Sequence, residues 1–322
     1  AMSQKSGELK AQGVDVINLS VGEPDFNTPD HIKEAAKKAI DENYSRYSPV
    51  AGYPALRNAI VAKLKNENGL EYTAAQISCA NGAKQSVCNT IMALVNKGDE
   101  VIVPAPYWVS YPEMVKLAEG TPVIVRAADE IYEHINYIGK HQSIAQFEEI
   151  RDRVVIVNGV SKAYAMTGWR IGFVAGPEWI VKGINKLQGQ YTSGPCSVSQ
   201  KAAEAAYTGT QEPVEEMRKA FERRRDLIVK LAKEIPGFEV NFPQGAFYLF
   251  PKCDSFYGKK DGDRVINNAD DLAMYLLEVG HVACVGGTSF GAPECIRMSY
   301  ATSDENIVEA MRRIKETLAK LK

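Results

Sequence analysis

Apolar and polar residues alternate along the chain in two distinct ways. Over the first two thirds, short runs rich in β-branched residues, at 101–104, 154–158 and 170–175, are separated by longer stretches of helical periodicity. Those stretches include residues 54–66 and 84–95. Strands that alternate with helices in this way are typical of parallel strands joined by crossover helices. The pattern predicts an α/β layer structure for this part of the chain.

The pattern changes at about Glu212. One long charged helix is followed by the short apolar runs FEVNF, AFYLF, HVACV and CIRMSYA, with a helix at 270–279 among them. An amphipathic helix is predicted at 304–321. Strands in tandem with flanking helices indicate an α+β unit. We therefore predict a large domain over residues 30–215 and a smaller α+β domain over residues 1–29 and 216–322.

Composition and charge narrow the class of protein. The 322 residues are 45% hydrophobic and 24% charged, as in an ordinary globular protein. Lysine and arginine number 38, and aspartate and glutamate 40, so the chain has no general positive field for a nucleic acid or an anionic membrane. The six cysteines and four histidines show no metal-ligand spacing, which predicts reduced thiols and no metal site.

Signals for membrane insertion or secretion are not found in the sequence. No apolar run approaches the roughly 18 residues that a membrane helix needs. The first residues, AMSQKSGELKAQG, lack the apolar segment of a secretory signal. We expect a cytoplasmic protein that binds neither membranes nor nucleic acids.

The most informative stretch is residues 161–172, SKAYAMTGWRIG, which follows the apolar run VVIVN. Ligands collect at the C-terminal ends of strands in open α/β sheets. A lysine placed there, such as Lys162, can be partly desolvated and can then act as a neutral amine nucleophile. Arg170 follows beyond a turn and could pair with a phosphate through two hydrogen bonds. Taken alone, such residues are more often solvated surface charges.

The same stretch resembles the cofactor-lysine motif of the class I aminotransferases, which are pyridoxal-phosphate (PLP) enzymes of fold type I. Elsewhere the chain contains further motifs of that family, in the family's order: VINLSVGEPDF, RYSPVAGYPALR, NGAKQSV, PYWVSYPEM, DEIYEHINY, QGAFYLF and CIRMSYA. The chain is most similar to the prokaryotic aspartate aminotransferase subgroup. The resemblance implies an α/β fold whose large domain holds a mostly parallel sheet flanked by helices.

Three residues would act at the cofactor ring if the resemblance holds. Lys162 would form the Schiff base with PLP and carry the proton in catalysis. Asp129, in DEIY, would pair with the pyridine nitrogen and keep it protonated. Tyr132 would hydrogen-bond the phenolic oxygen and lower the pKa of the Schiff base. Without the motif, Asp129 would be interpreted as a solvated turn residue and Tyr132 as a half-buried strand residue.

The resemblance also implies a set of residues that hold the phosphate and the ring. Backbone N–H groups at the start of a helix bind phosphate through unpaired donors and the helix dipole. The implied cofactor-binding residues of this set are Gly82, Ala83, Lys84, Trp108, Tyr47, Ser161 and Arg170. Trp108 would stack on the pyridine ring, although most tryptophans are core or interface anchors. Tyr47 would reach the phosphate of a neighbouring subunit, which implies an active homodimer.

Substrate recognition would depend on Arg297, in CIRMSYA, because a planar guanidinium fits a carboxylate. Its alternative role is a structural salt bridge. Gly22, in the loop VGEPDF, would let the backbone approach the same carboxylate. Trp108 and Lys84 complete the implied substrate site, with Lys84 facing the distal carboxylate of an acidic substrate.

The activity implied by the resemblance is a ping-pong transfer of the amino group of an amino acid, aspartate in this subgroup, to a 2-oxo acid, 2-oxoglutarate. Two alternatives remain open. The same scaffold could transaminate aromatic or other amino acids. The chain could also be a catalytically inactive relative that serves as a dimeric interaction protein.

The sequence departs from the family at one internal point. After TPVIVRA the chain runs directly into ADEIYEHINY, whereas relatives carry a further segment there, including an asparagine that contacts the cofactor. The N-terminal arm of relatives is also missing. A true deletion would expose apolar surface at a severe cost in stability. We favour the interpretation that this sequence joins parts of a longer chain, which continuous peptide geometry between Arg126 and Asp129 would contradict.

Overall fold

The computed structural model describes residues 2–126 and 132–322. The α-helices are α1 (Met2–Ala11), α2 (Asp30–Asp41), α3 (Pro54–Asn68), α4 (Ala83–Leu94), α5 (Tyr111–Leu117), α6 (Glu178–Tyr191), α7 (Ser197–Thr208), α8 (Glu212–Lys233), α9 (Ala269–Gly280) and α10 (Asp304–Leu318). The strands are β1 (Ile17–Asn18), β2 (Ile77–Ala80), β3 (Glu100–Ala105), β4 (Thr121–Arg126), β5 (Ile156–Gly159), β6 (Gly172–Ala175), β7 (Tyr248–Leu249), β8 (Lys260–Asp261), β9 (Arg264–Val265), β10 (Val282–Ala283), β11 (Val285–Gly286) and β12 (Ile296–Ser299).

Helix boundaries follow local chemistry. The predicted helix at 54–66 is confirmed as α3, which begins at Pro54, where the ring's fixed φ suits the first turn, and ends before Gly69 in the left-handed conformation. The Asn268 side chain accepts hydrogen bonds from two backbone N–H groups at the start of α9. Ser303 does the same for Asn306 at the start of α10. These caps satisfy donors that would otherwise lack partners.

Two sheets carry the α/β part of the chain. Strands β3 and β4 pair in parallel, with Glu100 opposite Thr121. Strand β6 pairs antiparallel with both β2 and β5, so those two strands run in the same direction. The run predicted at 170–175 becomes a strand only from Gly172, because Arg170 has a left-handed backbone conformation, with φ of 58°. The connection from β5 to β6, residues 160–171, consists of turns and a 3₁₀ helix at Thr167–Trp169 and contains no crossover α-helix, and this permits the antiparallel pairing.

Two clusters of buried apolar residues form separate cores. The first core contains Ile60, Ile156 and Phe173 and is built from α2, α3, α7, β2, β5 and β6. The second core contains Phe247 and Ile296 and is built from β1, β7, β10, β12 and α8 to α10. Ile135 packs in the second core, although the predicted boundaries place it in the large domain. Those boundaries stay a prediction.

The second core is organised by short strands. Strand β12 pairs antiparallel with β11 and β7, while β1 pairs in parallel with β10. The runs HVACV, CIRMSYA and AFYLF therefore contribute strands, as predicted. FEVNF does not form a strand; it contributes only an isolated bridge between Glu239 and Lys252. The loop that follows β1 leads the chain out of the second core toward the first.

The two-stranded sheet of β3 and β4 leaves apolar side chains in solvent. Ile102 is 67% exposed, and Ile124 and Val125 are nearly half exposed. Within residues 2–126 and 132–322, no strand pairs with the outer edges of this sheet. In the described ranges, none of the helices is long and apolar enough to cross a bilayer.

Candidate active site

Lys162 lies in the turn that follows β5, at the boundary between the two cores. Its Nζ donates a hydrogen bond to the carbonyl oxygen of Gly22 and lies 5.9 Å from the centroid of the Phe247 ring. Burial lowers the pKa of Lys162 to about 8; Glu23 opposes that change, while Arg170 and Arg297 add to it. A substantial fraction of this amine is therefore neutral near pH 8, as a nucleophile or proton carrier requires.

The loop after β1 is held against the turn that carries Lys162. Thr28 Oγ1 donates to the Ala165 carbonyl oxygen at 2.7 Å and accepts from Trp169 Nε1 at 3.1 Å. Gly22 lies in this loop, and a side chain at its position would overlap the hydroxyl of Tyr248. The absence of a Cβ therefore lets the backbone lie between Lys162 and a tyrosine from the second core.

Arg297, on β12, is enclosed by aromatic rings. Its Cζ lies 4.6 Å from the ring centroids of both Tyr248 and Phe290 and 5.6 Å from that of Trp108. Nη2 donates to the Ser20 carbonyl oxygen at 2.8 Å, while the buried Nε has no hydrogen-bond partner among the described atoms. Since a buried unpaired donor is costly, this guanidinium is suited to an anion that completes its hydrogen bonds.

The start of α4 is a second concentration of positive charge and free donors. Gly82 precedes this helix with φ of 84°, and a side chain there would overlap the guanidinium of Arg170. Arg170 Nη1 donates to the Thr167 carbonyl oxygen at 2.9 Å, and Nη2 to that of Asn81 at 3.3 Å. A guanidinium beside the N-terminus of a helix fits a phosphate.

Comparison with known proteins identifies the family. The sequence profile described as "Aminotransferase class I and II" matches residues 14–130 and 127–314. The chain belongs to the class I and II aminotransferases. It is 42% identical, over 382 aligned residues, to a probable aspartate/prephenate aminotransferase of Rickettsia bellii (strain RML369-C), with 100% of this chain and 96% of the relative covered.

Solved structures of aminotransferases have the same fold. The aspartate aminotransferase from Rhizobium meliloti superposes with a TM-score of 0.95 at 36% identity, covering 100% of this chain and 96% of that one. The aspartate aminotransferase from Thermus thermophilus with maleate superposes with a TM-score of 0.91 at 34% identity, covering 98% and 95%. The α/β fold of type I and the aminotransferase class predicted from the sequence are confirmed.

Aminotransferases of this family use PLP, and the described residues suit it at two points. The Lys162 amine has the lowered pKa that a Schiff-base lysine needs. Arg170 and the N-terminus of α4 offer donors for a phosphate, and the lack of a side chain on Gly82 is what lets the Arg170 guanidinium lie against the start of this helix. The two points lie on the first core, in the elements that follow β2 and β5.

Other residues of the predicted site occupy varied positions. Tyr132 lies at the site, its hydroxyl 2.9 Å from that of Tyr248. Lys84 Nζ lies 5.9 Å from the ring centroid of Trp108, and Ser161 is buried beside Lys162. Tyr47 is 98% exposed and is not brought to the other residues within one chain. Asp129 and the peptide bonds that follow Arg126 lie outside the described residues, so the pairing of Asp129 with Lys162 across one ring stays a prediction.

Several residues at the site were not predicted from the sequence. They are Ser20, Glu23, Tyr248 and Phe290. Tyr248 and the buried Phe247 both belong to the run AFYLF, in which strand alternation indicates that neighbouring side chains point to opposite faces. In the folded chain both rings lie at the site, with centroids 4.8 Å apart, so alternation alone would not have found the pair.

A charged cluster near the predicted site is stabilised without a metal. Glu67, Glu133 and His134 offer ligand atoms within 4.8 Å of one another. Lys63 Nζ, however, donates to Glu133 Oε1 and lies 3.5 Å from Glu67 Oε2. Although burial opposes ionisation, the hydrogen bonds and charges of His134 and Lys63 hold the pKa of Glu133 well below its usual range. The lysine already supplies the positive charge that a cation would bring.

Proposed function

We propose that this aminotransferase takes the amino group of aspartate and gives it to 2-oxoglutarate in a ping-pong reaction. The observation that carries the proposal is the enclosed guanidinium of Arg297, at the same boundary as the Lys162 amine. Its buried Nε has no hydrogen-bond partner in the part of the chain that the structure describes. A substrate carboxylate on Arg297 would place the Cα of an amino acid near Lys162. Two relatives that are 42% and 36% identical to this chain are named for aspartate, and this supports the choice of amino donor.

In this proposal, the chain's own residues bind and orient the reactants. Arg170, Ser161, Gly82 and Ala83 would hold the PLP phosphate, Trp108 would stack on the ring, and Tyr132 and Asp129 would contact its polar atoms. PLP, when bound, supplies the electron sink that stabilises negative charge at the substrate Cα. Lys162 Nζ would take the proton from the substrate Cα and deliver it to the C4′ carbon of PLP, a role typically worth ~10²- to 10⁴-fold in rate.

Lys84 is the candidate for recognition of the second carboxylate of aspartate. It is exposed, and its Nζ lies over the face of Trp108, which itself lies beside Arg297. An ammonium group and a guanidinium that both lie within 6 Å of the Trp108 ring centroid would suit the two carboxylates of a dicarboxylate. We also propose a cytoplasmic homodimer, in which Tyr47 of each chain contacts the phosphate held by the other; the near-complete exposure of Tyr47 in a single chain supports this arrangement.

A second candidate substrate carries a ring. Trp108, Tyr248 and Phe290 surround Arg297 with aromatic surface, to which an aromatic amino acid or prephenate could bind. The Rickettsia relative is named for both aspartate and prephenate, which is consistent with such a dual site.

Amino-donor specificity tests the proposal directly. The purified protein is loaded with PLP, and the visible spectrum is recorded during addition of aspartate, phenylalanine, tyrosine or leucine, with release of the oxo acid measured by coupled assay. We expect aspartate to react fastest and 2-oxoglutarate to restore the spectrum. Lys162→Ala should lose both the visible absorbance and turnover, whereas the exposed-site control Lys182→Ala should keep them. A spectrum that no amino acid changes would instead favour an inactive relative.

A further inference from the structure

Tyr248 belongs to the second core but reaches the candidate active site. It lies on β7, which pairs with β12, the strand that carries Arg297. The ring is half-buried, and burial raises the pKa of Tyr248, so its hydroxyl keeps its proton. The residue therefore offers both a flat apolar face and a hydrogen-bond donor at one place.

The ring of Tyr248 fixes the orientation of Arg297. With Phe290, it encloses the guanidinium between two aromatic rings at the same distance, 4.6 Å from Cζ to each centroid. Among the described atoms, the only hydrogen bond of this guanidinium is the one to Ser20. The two aromatic rings are therefore the main constraint on the orientation of the guanidinium plane, because a single hydrogen bond still permits rotation.

The hydroxyl of Tyr248 has a separate partner. It lies 2.9 Å from the hydroxyl of Tyr132, and either group can donate in this pair. When Tyr248 donates, the Tyr132 hydroxyl accepts, and a hydroxyl that accepts a hydrogen bond is itself a stronger donor. Gly22 makes this contact possible, since any side chain there would displace the Tyr248 hydroxyl.

We propose that Tyr248 is a positioning residue that joins the carboxylate-binding and cofactor-binding halves of the site. Its ring holds the Arg297 guanidinium in the plane that a substrate carboxylate needs, and its hydroxyl orients the Tyr132 hydroxyl toward the cofactor. The inference rests on the proposed function, in which Arg297 and Tyr132 have those roles. Because the ring and the hydroxyl act on different partners, two substitutions separate their effects.

Tyr248→Phe tests the hydroxyl. The stacked ring remains, so we expect the affinity for maleate, a dicarboxylate that cannot be transaminated, to stay within about three-fold of the wild type. Tyr132 becomes a weaker donor, so the pH midpoint of the visible absorbance of the PLP-loaded protein should rise by about 0.5 to 1 pH unit, the equivalent of one hydrogen bond. Among the described residues, Glu23, Arg170 and Arg297 are the charged groups that act on the Lys162 amine, and all are unchanged in this variant.

Tyr248→Leu tests the ring. It removes the stacked face as well as the hydroxyl, and we expect maleate to bind about ten- to thirty-fold more weakly, the factor that a desolvated cation–π contact contributes. Binding is measured by titration calorimetry on the PLP-loaded protein. In steady-state kinetics the weaker binding should appear mainly as a higher KM for aspartate, since the Arg297 guanidinium loses its fixed orientation before the reaction begins.

Tyr275→Phe is the matched control. Tyr275 is a fully buried tyrosine of the same core whose hydroxyl donates to Asp261, away from Arg297 and Tyr132. The control should change neither maleate affinity nor the pH midpoint. The positioning role is overturned if Tyr248→Phe, which retains nearly all the packing, has the same pH midpoint of the visible absorbance as Tyr275→Phe. It is also overturned if a folded Tyr248→Leu binds maleate with wild-type affinity. Absence of PLP absorbance or of maleate binding in the wild type would overturn the proposed function as well.

Discussion

At the scale of single residues, the chemistry depends on how each polar side chain is partnered. Lys162 has a carbonyl partner and no contacting carboxylate among the described residues, so burial dominates and lowers its pKa. Glu133 is also buried but has Lys63 and His134 against it, and its pKa is lowered because its charged form is stabilised. The same burial thus yields a reactive amine in one place and a fixed ion pair in the other.

The lowered pKa of Lys162 predicts its reactivity with amine reagents. A lysine loses its proton as the pH rises through its pKa, so in the PLP-free protein Lys162 should become reactive with a midpoint at pH about 8. An ordinary exposed lysine follows its usual value near 10.4. Peptide-level mass spectrometry after brief acetylation between pH 6 and 10 measures both in one sample. Superimposable profiles for Lys162 and the exposed Lys182 would contradict the expected environment.

At the scale of elements, the proposed phosphate region depends on contact between β6 and the start of α4. A side chain on Gly172 would overlap the backbone of Gly82 and Ala83, where neither chain can move without shifting its element. The strand and the helix therefore approach more closely than residues with a Cβ allow. This contact aligns the N–H groups of the helix with Arg170, which lies two residues before Gly172.

Gly172→Ala should damage both stability and cofactor binding. Overpacking typically costs 1–3 kcal/mol, and a clash with backbone is at the upper end, so we expect a loss of about 3 kcal/mol in unfolding free energy, with weaker PLP binding. The matched control is Gly183→Ala in α6, where a new methyl group meets only Ala93 at 3.8 Å. Replacement of a helix glycine should stabilise by about 0.5–1 kcal/mol. Urea unfolding and PLP titration test both; equal stability of the two variants would contradict the contact.

The sequence predicted those parts of the fold and of the site that depend on local pattern. Helices α3 and α4 follow from periodicity, and the turn with Lys162 follows from a contiguous motif. The direction of β6 was not predicted, because it depends on the left-handed conformation of Arg170 and on a connection from β5 that contains no crossover α-helix. The pairing of Tyr248 with Tyr132 joins residues 116 apart in sequence, and no local signal specifies it. The reason for glycine at position 22 likewise appears only in the folded chain.

At the scale of the whole molecule, the two cores contribute different halves of the site. The first core supplies Lys162 and the phosphate region, and the second supplies Arg297 and Tyr248. The family match divides into stretches that meet at 127–130, and the alignment with the Rickettsia relative extends over 382 residues, although this chain has 322. These findings support the interpretation that relatives contain a segment that joins β4 to Tyr132 and that this sequence lacks.

Assembly should depend on surfaces that include Tyr47. We expect sedimentation to give twice the 35.4 kDa mass of one chain. Tyr47→Phe should preserve that mass but weaken PLP binding about ten-fold or more, since a hydrogen bond to a charged group contributes about 1.5–3 kcal/mol. Tyr257→Phe, which removes a hydroxyl bonded to the Pro293 carbonyl oxygen in the second core, is the control. If the protein sediments as a monomer, and if Tyr47→Phe and Tyr257→Phe bind PLP with equal affinity, a site shared between subunits is excluded.

The two-stranded sheet of β3 and β4 has a practical consequence for handling the protein. In the described part of the chain its margins have no further strand beside them, and Ile102, Ile124 and Val125 face water. Unpaired backbone N–H and C=O groups beside exposed apolar side chains form an edge with which an identical molecule can pair. Concentrated stocks of this sequence should therefore turn cloudy on storage, and crystallisation trials should begin from dilute, freshly purified samples.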